Sequence, residues 1–207
     1  MVAERYIKNI GWISEEDQAN LLTKSIAVIG CGGNGGYILE SLARLGVKRL
    51  VFFDGDNFEL SNINRQRFME SDEHDKGCYK AALAEYHLQM INSTVHLETY
   101  CRYFTPSDIS IIEDCDLIVL AIDSGHEIKA VREALIPLIE KGIPVLDQAC
   151  TDYGAWVHIV TSRSIPMYNE DTAGWEKVNP DVARGYQPGY LCMMAAAMAV
   201  SEIQKYF

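Results

Sequence analysis

The sequence has few basic residues for its length. Its 18 lysines and arginines are outnumbered by 29 aspartates and glutamates, which gives a formal net charge of −11. Proteins that bind nucleic acids or anionic membranes do so through clusters of lysine and arginine, and this sequence contains no such cluster. The composition therefore argues against a nucleic acid or a membrane surface as a partner.

Long apolar segments, paired cysteines and a secretion signal are missing as well. The longest apolar run, residues 190–200, is too short to cross a bilayer, and the N-terminus lacks the basic-then-apolar pattern of a signal peptide. The six cysteines form no Cys-x-x-Cys pair, and a structural zinc site needs clustered thiolates or histidines. We therefore expect a cytoplasmic protein with reduced thiols and no zinc.

What the sequence does contain is a glycine-rich turn between an apolar, β-branched run and a helical pattern. The turn reads Gly-Cys-Gly-Gly-Asn-Gly over residues 30–35. In this arrangement Gly30 permits a tight turn, Gly32 lets a phosphate approach the backbone, and Gly35 lets the helix pack on the strand. The unpaired N–H groups and the positive dipole end of the helix would attract an anion.

An aspartate follows the second strand of this unit. Asp54 comes nineteen positions after Gly35 and ends an apolar run. An acidic side chain at such a place can accept hydrogen bonds from ribose hydroxyls. The glycine turn and Asp54 together predict a nucleotide site, and they leave both NAD and ATP open as its ligand.

The periodicity of the chain predicts an α/β fold: a Rossmann-like, doubly wound, mostly parallel sheet with helices on both faces. Strands are predicted at residues 25–30, 49–54, 95–100, 117–122 and 145–148. Helices are predicted between them at residues 36–45, 79–90, 106–113 and 126–141. Residues 155–161 follow the fifth strand too closely for a crossover helix, so we expect an antiparallel extension near the C-terminus.

The whole chain is predicted to be a single domain. Residues 1–24 form an arm and a short helix capped at Ser14, and residues 25–150 form the nucleotide-binding core. The rest contains the antiparallel strand, a long polar loop over residues 162–188, and an apolar-rich helix over residues 189–207.

The polar segment after Asp54 makes the chain similar to the ThiF/MoeB family, which includes the adenylation domains of ubiquitin-activating enzymes. The family pattern is Asp-x-Asp, then an asparagine, then Arg-Gln, then a lysine opening a helix, and finally an aspartate after a buried strand. The matching residues here are Asp54, Asp56, Asn62, Arg65, Gln66, Lys80 and Asp123. They occur in the family's order and on the predicted elements that carry them in the family.

The resemblance implies an activity and roles for these residues. Family members use ATP and Mg²⁺ to adenylate the C-terminal glycine of a ubiquitin-like or sulfur-carrier protein with a Gly-Gly tail, releasing pyrophosphate. By resemblance, Arg65 and Lys80 are catalytic residues on the phosphates, and Asp123 is catalytic as the Mg²⁺ ligand. The resemblance implies further nucleotide contacts from Gly30, Gly32, Gly33, Gly35, Asp54, Asp56, Asn62, Gln66 and Ser124.

The N-terminal arm carries a weaker part of the resemblance. The Arg-Tyr-Ile-Lys-Asn segment at residues 5–9 is similar to a family segment whose second arginine reaches the partner subunit's ATP site. Lys8 occupies that position, so the positive charge is kept but the planar guanidinium is lost. The resemblance thus implies a homodimer in which Lys8 acts as a catalytic residue across the interface, with Arg5 as a possible replacement.

The chain departs from larger family members in its cysteines. Many of those carry a cysteine on the crossover loop for thioester or persulfide transfer, and residues 162–190 here contain none. Cys150 and Cys192 are the remaining candidates, and their apolar sequence context is typical of inert core thiols. We therefore expect adenylation without an enzyme thioester.

Three alternatives remain open. The Ala-Ile-Asp-Ser wording at residues 121–124 resembles the tRNA threonylcarbamoyladenosine dehydratase branch of the same fold, although the acidic charge argues against a tRNA substrate. Lys8 would also suit a catalytically weak structural subunit of an activating-enzyme heterodimer. An NAD-dependent oxidoreductase would leave the Asn-Ile-Asn-Arg-Gln segment at residues 62–66 unexplained.

Overall fold

The computed structural model describes residues 2–74, 78–122, 126–151, 154–174 and 188–207. Its strands are β1 Ser25–Ile29, β2 Arg49–Phe53, β3 His96–Tyr100, β4 Leu117–Leu120, β5 Val145–Thr151 and β6 Gly154–Val160. They form one sheet in the order β3-β2-β1-β4-β5-β6, parallel throughout except for the antiparallel β5–β6 pair. The predicted doubly wound sheet with an antiparallel extension is confirmed.

Seven α-helices occur in the described ranges. They are α1 Glu15–Leu21, α2 Gly33–Leu45, α3 Lys80–Ile91, α4 Ile109–Ile112, α5 His126–Glu140, α6 Ile165–Gly174 and α7 Gly189–Tyr206. Short 3-10 helices occur at Glu4–Tyr6, Leu60–Asn62, Glu70–His74, Pro106–Asp108 and Ser162–Ser164. Within the described ranges, no helix combines the length and the apolar character that a membrane span requires.

The sheet separates two apolar cores. Along β1, Ile26 and Val28 face the core under α2, α3 and α7, while Ala27 and Ile29 face the core under α4 and α5. Parallel strands that are covered on both faces are apolar throughout rather than alternating, which explains the continuous apolar runs in the sequence. The predicted strands match the observed ones to within two residues at every end except the carboxyl end of β5, which continues to Thr151.

The prediction of one continuous loop over residues 162–188 is wrong in its first half. A 3-10 turn at Ser162–Ser164 leads directly into α6, and the Thr161 N–H donates to Ser164 Oγ at 2.9 Å at the start of the turn. Among the described side chains of α6, only Tyr168 and Thr172 are buried. The helix therefore needs few apolar residues, and its sequence shows no helical period of apolar positions. The remainder of the predicted loop, residues 175–187, lies outside the described residues.

A buried ion pair joins α5, α6 and β5. The Arg132 guanidinium donates to the Asp147 carboxylate, and the two residues are 1% and 4% exposed. The Tyr168 ring of α6 lies against the guanidinium, with 5.1 Å between the Arg132 Cζ atom and the ring centre. Burial raises the pKa of Asp147 to about 6, even though the charge of Arg132 and its hydrogen bond act to lower it.

Replacing Arg132 by methionine tests this pair. The variant keeps a long apolar side chain but leaves the Asp147 carboxylate buried without its cation, so we expect the free energy of unfolding to fall by about 3–5 kcal/mol near neutral pH. The pKa of folded Asp147 lies above its unfolded value and rises further without Arg132. Lowering the pH through this pKa protonates the folded carboxyl, and the variant should therefore recover stability relative to the wild type.

Urea denaturation at about pH 8 and about pH 5 measures both effects. Lys141→Met is the matched control, because the Lys141–Glu113 pair is exposed and spans 3.8 Å. Exposed pairs contribute at most about 1 kcal/mol. Equal losses in the two variants, or a loss in Arg132→Met that does not shrink at low pH, would contradict the account of the buried pair.

Candidate active site

The candidate site lies at the carboxyl edge of the sheet, where the strand order changes direction. Strand β1 pairs with β2 on one side and with β4 on the other, so the crossover connections leave this point in opposite directions. Ligands of open α/β sheets bind outside the carboxyl ends of the strands at such a point. The glycine turn follows β1 directly and opens α2.

The glycines of the turn differ in how much room they have. Gly30 has φ of 102°, a left-handed conformation that suits glycine, and its N–H donates to the Phe53 carbonyl at 2.8 Å. A Cβ atom on Gly35 would lie 1.9 Å from the Gly30 carbonyl oxygen, whereas the nearest atom to one on Gly32 is Gln66 Nε2 at 3.9 Å. Gly30 and Gly35 thus build the turn, and Gly32 faces open space at the helix N-terminus.

Asp54 holds the turn in place. Its Oδ2 accepts the Cys31 N–H at 2.7 Å, and its Oδ1 accepts the Asp56 N–H at 2.8 Å. Burial raises the pKa of Asp54, and these two N–H groups and the charge of Lys80 offset part of that rise. The carboxylate therefore ties the glycine turn to the end of β2. Sequence reasoning assigned it only a contact with ribose.

Asp56 and Lys80 form an ion pair beside this turn. Lys80 Nζ lies 2.7 Å from Asp56 Oδ2, and the Lys80 N–H donates to the Asp56 carbonyl at 2.8 Å. Lys80 is the first residue of α3 and is 7% exposed. Burial acts to raise the pKa of Asp56, but hydrogen bonds from Lys80 and Tyr103 and the lysine charge outweigh it, so this pKa is lowered. The pair fixes a cation next to the glycine turn.

Tyr103 is a site residue that sequence reasoning missed. Its hydroxyl donates to Asp56 Oδ1, and its ring packs so closely on Gly55 that a Cβ atom there would lie 2.8 Å from the ring. Tyr103 lies in the loop after β3, and only the pairing of β2 with β3 brings it to Asp56. No local pattern in the sequence could have indicated this contact.

Asn62 and Arg65 come from the segment that follows β2. Asn62 Oδ1 accepts the Glu59 N–H at 3.3 Å and so helps to close the 3-10 turn. An Nη atom of Arg65 lies 3.3 Å from the Ser61 carbonyl and 3.0 Å from Asn64 Oδ1. The hydrogen-bond acceptors of the Arg65 guanidinium are therefore uncharged in the described part of the chain, and its positive charge is not cancelled there.

Gln66 completes the approach of this segment to the glycine turn. Its side chain is 5% exposed and points its amide toward Gly32. Among the described residues, Gln66 Oε1 is buried without a hydrogen-bond donor. The Arg65 carbonyl lies 3.4 Å from the position that a Cβ atom on Gly33 would take. A polar group that lacks a partner next to an open turn suits a site that a polar ligand completes.

Three further predicted site residues remain to be placed. Asp123 and Ser124 lie outside the described residues, and the described residues alone contain no group of three or more possible metal ligands. Lys8 is exposed. It follows the buried Tyr6, whose ring packs on Gly46 at the C-terminal end of α2.

The position of Tyr6 sets a distance between Lys8 and the turn. Helix α2 has 13 residues and therefore spans about 20 Å, with the glycine turn at its opposite end. Arg5, the suggested replacement for Lys8, donates to Asn92 Oδ1 of its own chain. Neither side chain is thus placed to serve the glycine turn of the same chain.

Comparison with known proteins shows the family of the chain. The ThiF family matches residues 4–207. The chain belongs to the ThiF family. It is similar to the sulfur carrier protein ThiS adenylyltransferase of Bacillus subtilis, with 33% identity over 72% of this chain and 44% of that protein. The chain spans less than half the length of this relative and of two other curated relatives, of which it covers 27% and 46%.

Solved structures agree on the fold of this ThiF-family chain. The structure of Escherichia coli MccB with AMPCPP and MccA superposes with a TM-score of 0.79 at 17% identity, covering 99% of this chain and 63% of that one. The E. coli tRNA N6-threonylcarbamoyladenosine dehydratase TcdA gives a TM-score of 0.74 at 18% identity, covering 98% of this chain and 93% of that one. At such identities the likeness shows the fold alone.

The glycines of the ThiF-family turn give a matched pair of variants. Gly35→Ala would drive a Cβ atom into the Gly30 carbonyl, and we expect it to lower the free energy of unfolding by at least about 3 kcal/mol. Gly32→Ala meets no atom closer than 3.9 Å and should cost less than about 1 kcal/mol. Urea denaturation measures both. If the two variants lost similar free energies of unfolding, the distinction between Gly35 as a packed glycine and Gly32 as an open one would be wrong.

Proposed function

We propose that the chain is an ATP- and Mg²⁺-dependent adenylyltransferase that activates the C-terminal glycine carboxylate of a ubiquitin-like or sulfur-carrier protein. The observation that carries the proposal is the juxtaposition of the open turn at Gly32 with the buried Lys80, which is held by the half-exposed Asp56. Membership in the ThiF family supports it, as does the name of the Bacillus subtilis relative.

The proposed reaction is an in-line displacement at phosphorus. The glycine carboxylate attacks the α-phosphorus of ATP, an acyl adenylate forms, and pyrophosphate leaves with the electron pair of the broken P–O bond. Negative charge increases on the phosphate oxygens during this step, so catalysis depends on positioning and on fixed positive charge. The N-terminus of α2, the Lys80 ammonium and the Arg65 guanidinium would supply that charge.

The two cations would act differently. Lys80 is held beside Asp56, so the lysine is positioned before the nucleotide binds, and it can share its ammonium hydrogens with a phosphate. Arg65 has only uncharged acceptors in the described residues, so its guanidinium can turn to a phosphate without leaving a carboxylate behind. Burial and the loss of competing water would strengthen the contact of Lys80 most.

The remaining groups of the cluster suit the nucleoside and the metal. The Gln66 side-chain amide, which lies next to Gly32, can turn to bond a hydroxyl or an amino group of the nucleotide. Asp54 accepts one hydrogen bond on each oxygen and keeps further lone pairs for a ribose hydroxyl. Mg²⁺ would neutralise the triphosphate, and Asp123, which lies outside the described residues, is the residue proposed to hold it. Asn62 would act on the nucleotide indirectly, by keeping the Arg65 segment in its turn.

The first test is ATP binding followed by pyrophosphate exchange. In calorimetry, we expect the wild type to bind ATP with Mg²⁺ and to show no binding of NAD. We also expect it to exchange pyrophosphate into ATP when a carrier protein ending in Gly-Gly is added. Lys80→Met should lower kcat/KM by about 10²–10³-fold, because the positioned ammonium that stabilises the negative charge growing on the phosphate oxygens is lost. Gly32→Ala should stay folded but bind ATP more weakly, since its Cβ occupies the approach to the backbone.

Lys48→Met is the control for the lysine variant, because Lys48 is exposed and precedes β2 at the amino edge of the sheet. It should leave exchange unchanged. Binding of NAD in place of ATP would contradict the hypothesis that the chain is an adenylyltransferase. A folded chain that binds no nucleotide would favour the structural-subunit alternative instead.

We further propose that Lys8 acts on the partner subunit of a homodimer. The distance along α2 prevents it from serving its own glycine turn, and the family resemblance supports a contribution in trans. Lys8→Arg should keep or raise the exchange rate, while Lys8→Met should lower it with little effect on folding. Mixing the impaired Lys8→Met variant with the impaired Lys80→Met variant should raise the activity above that of either alone, because each mixed dimer contains one intact site. No recovery on mixing would reject the contribution in trans.

One observation favours a second candidate. The chain superposes on the tRNA-modifying dehydratase TcdA with a TM-score of 0.74, and the Ala-Ile-Asp-Ser sequence at residues 121–124 resembles that branch. Both reactions begin with adenylation of a carboxylate, and the same cluster would serve either. The dehydratase hypothesis would be supported if the chain forms pyrophosphate from ATP with threonylcarbamoyl-modified tRNA but not with a Gly-Gly carrier protein. The net charge of −11 argues against that outcome.

A further inference from the structure

Two cysteines from distant parts of the chain meet beneath the glycine turn. Cys150 belongs to β5 and Cys192 to the first turn of α7. The Cys192 sulfur lies 2.8 Å from the position that a Cβ atom on Gly33 would take, and the Cys150 sulfur lies 3.2 Å from Asn34 Oδ1. Both sulfur atoms therefore lie at the first turn of α2.

The two thiols are also close to each other. The Cys150 sulfur lies 3.4 Å from the carbonyl oxygen of Leu191, the residue directly before Cys192, so the two thiols are neighbours across the contact of β5 with α7. Helix α7 packs on β5 and on α2, which fixes this contact from both sides. The sequence indicated an apolar context for each thiol, but it could not indicate that the two lie together, with Cys192 buried and Cys150 partly exposed.

We propose that Cys150 and Cys192 form a dithiol modification site, at which a low-molecular-weight disulfide oxidises the pair to an intramolecular disulfide. Cys150 is the attacking thiol, because it is half-buried while Cys192 is only 2% exposed. Cys192 is the resolving thiol. The site does not depend on the adenylating activity and would exist in the chain whatever its substrate.

The surroundings of Cys150 support its role as the attacking thiol. The hydrogen bond from Cys192 lowers the pKa of Cys150 and outweighs the effect of burial. Burial instead raises the pKa of Cys115 to about 12 and raises those of Cys31 and Cys101. A thiolate is the nucleophile in disulfide exchange, so these three thiols should react more slowly than Cys150.

Asn34 can support the thiolate as well as the thiol. As placed, Asn34 Nδ2 donates to Gln148 Oε1 at 2.6 Å and Asn34 Oδ1 faces the Cys150 S–H. Turning both side-chain amides over keeps their mutual hydrogen bond and points Asn34 Nδ2 at the Cys150 sulfur. The N-terminus of α2 adds its positive dipole end to this N–H. The site thus provides donors for a negative charge on Cys150.

The proposed chemistry uses glutathione disulfide as oxidant. The Cys150 thiolate attacks one sulfur of the oxidant, a mixed disulfide forms, and glutathione thiolate leaves. The Cys192 thiol loses its proton and attacks the Cys150 sulfur, the protein disulfide forms, and the second glutathione leaves. In total, two electrons and two protons pass from the two thiols to one glutathione disulfide, which becomes two glutathione molecules.

The test is to titrate the whole chain with glutathione disulfide, count free thiols and map the linked peptides by mass spectrometry. We expect the thiol count to fall from six to four, with Cys150 and Cys192 linked and no glutathione retained. Dithiothreitol should restore all six thiols. A linkage between other cysteines, a stable glutathione adduct on Cys150 in the wild type, or no reaction would each overturn the proposal.

Variants separate the two roles. Cys192→Ala should trap one glutathione on Cys150, since the resolving thiol is gone, and Cys150→Ala should leave Cys192 unreacted. Cys101→Ala is the matched control, because Cys101 is also partly buried but lies at the end of β3, and this variant should still lose two thiols. Loss of two thiols in Cys150→Ala would overturn the assignment. The mapping of the wild-type linkage stands even if a variant fails to fold.

Discussion

The candidate site depends on one carboxylate, that of Asp54. Its two oxygens accept the N–H groups of Cys31 and Asp56, at 2.7 and 2.8 Å, and so join the glycine turn after β1 to the turn after β2. A buried carboxylate is stable only if its oxygens are hydrogen-bonded, so the two turns must adopt conformations that present these N–H groups. The orientation of the α2 N-terminus and the position of Asp56 follow from this constraint.

From Asp56 the constraint extends to the cation of the site. Asp56 accepts hydrogen bonds from Lys80 and Tyr103. Because Asp54 fixes the position of Asp56, it also determines where the Lys80 ammonium lies at the start of α3. Lys80 then lies beside the glycine turn before any ligand arrives, and its desolvation is already offset by the ion pair. In a chain with a net charge of −11, this local arrangement and not the overall charge would attract a triphosphate.

The sequence predicted the features that local physics determines. The turn at Gly30 and the strand before Asp54 follow from backbone conformation and apolar periodicity, and both are found where expected. Helix α6 was missed because Tyr168 and Thr172 bury too little to display a period. The contact of Tyr103 with Asp56 and that of Cys150 with Leu191 join residues far apart in the chain, and such contacts exist only after the sheet has assembled.

The position of the N-terminal arm gives the last constraint on the site. Tyr6 packs on Gly46, where α2 ends, whereas the groups proposed to bind phosphate lie where α2 begins. A helix is a rigid spacer, so its length of about 20 Å separates Lys8 from the Lys80 ammonium of the same chain by more than any lysine side chain can span. If Lys8 takes part in the reaction, it must therefore do so from a second copy of the chain, and the site would be complete only in a dimer.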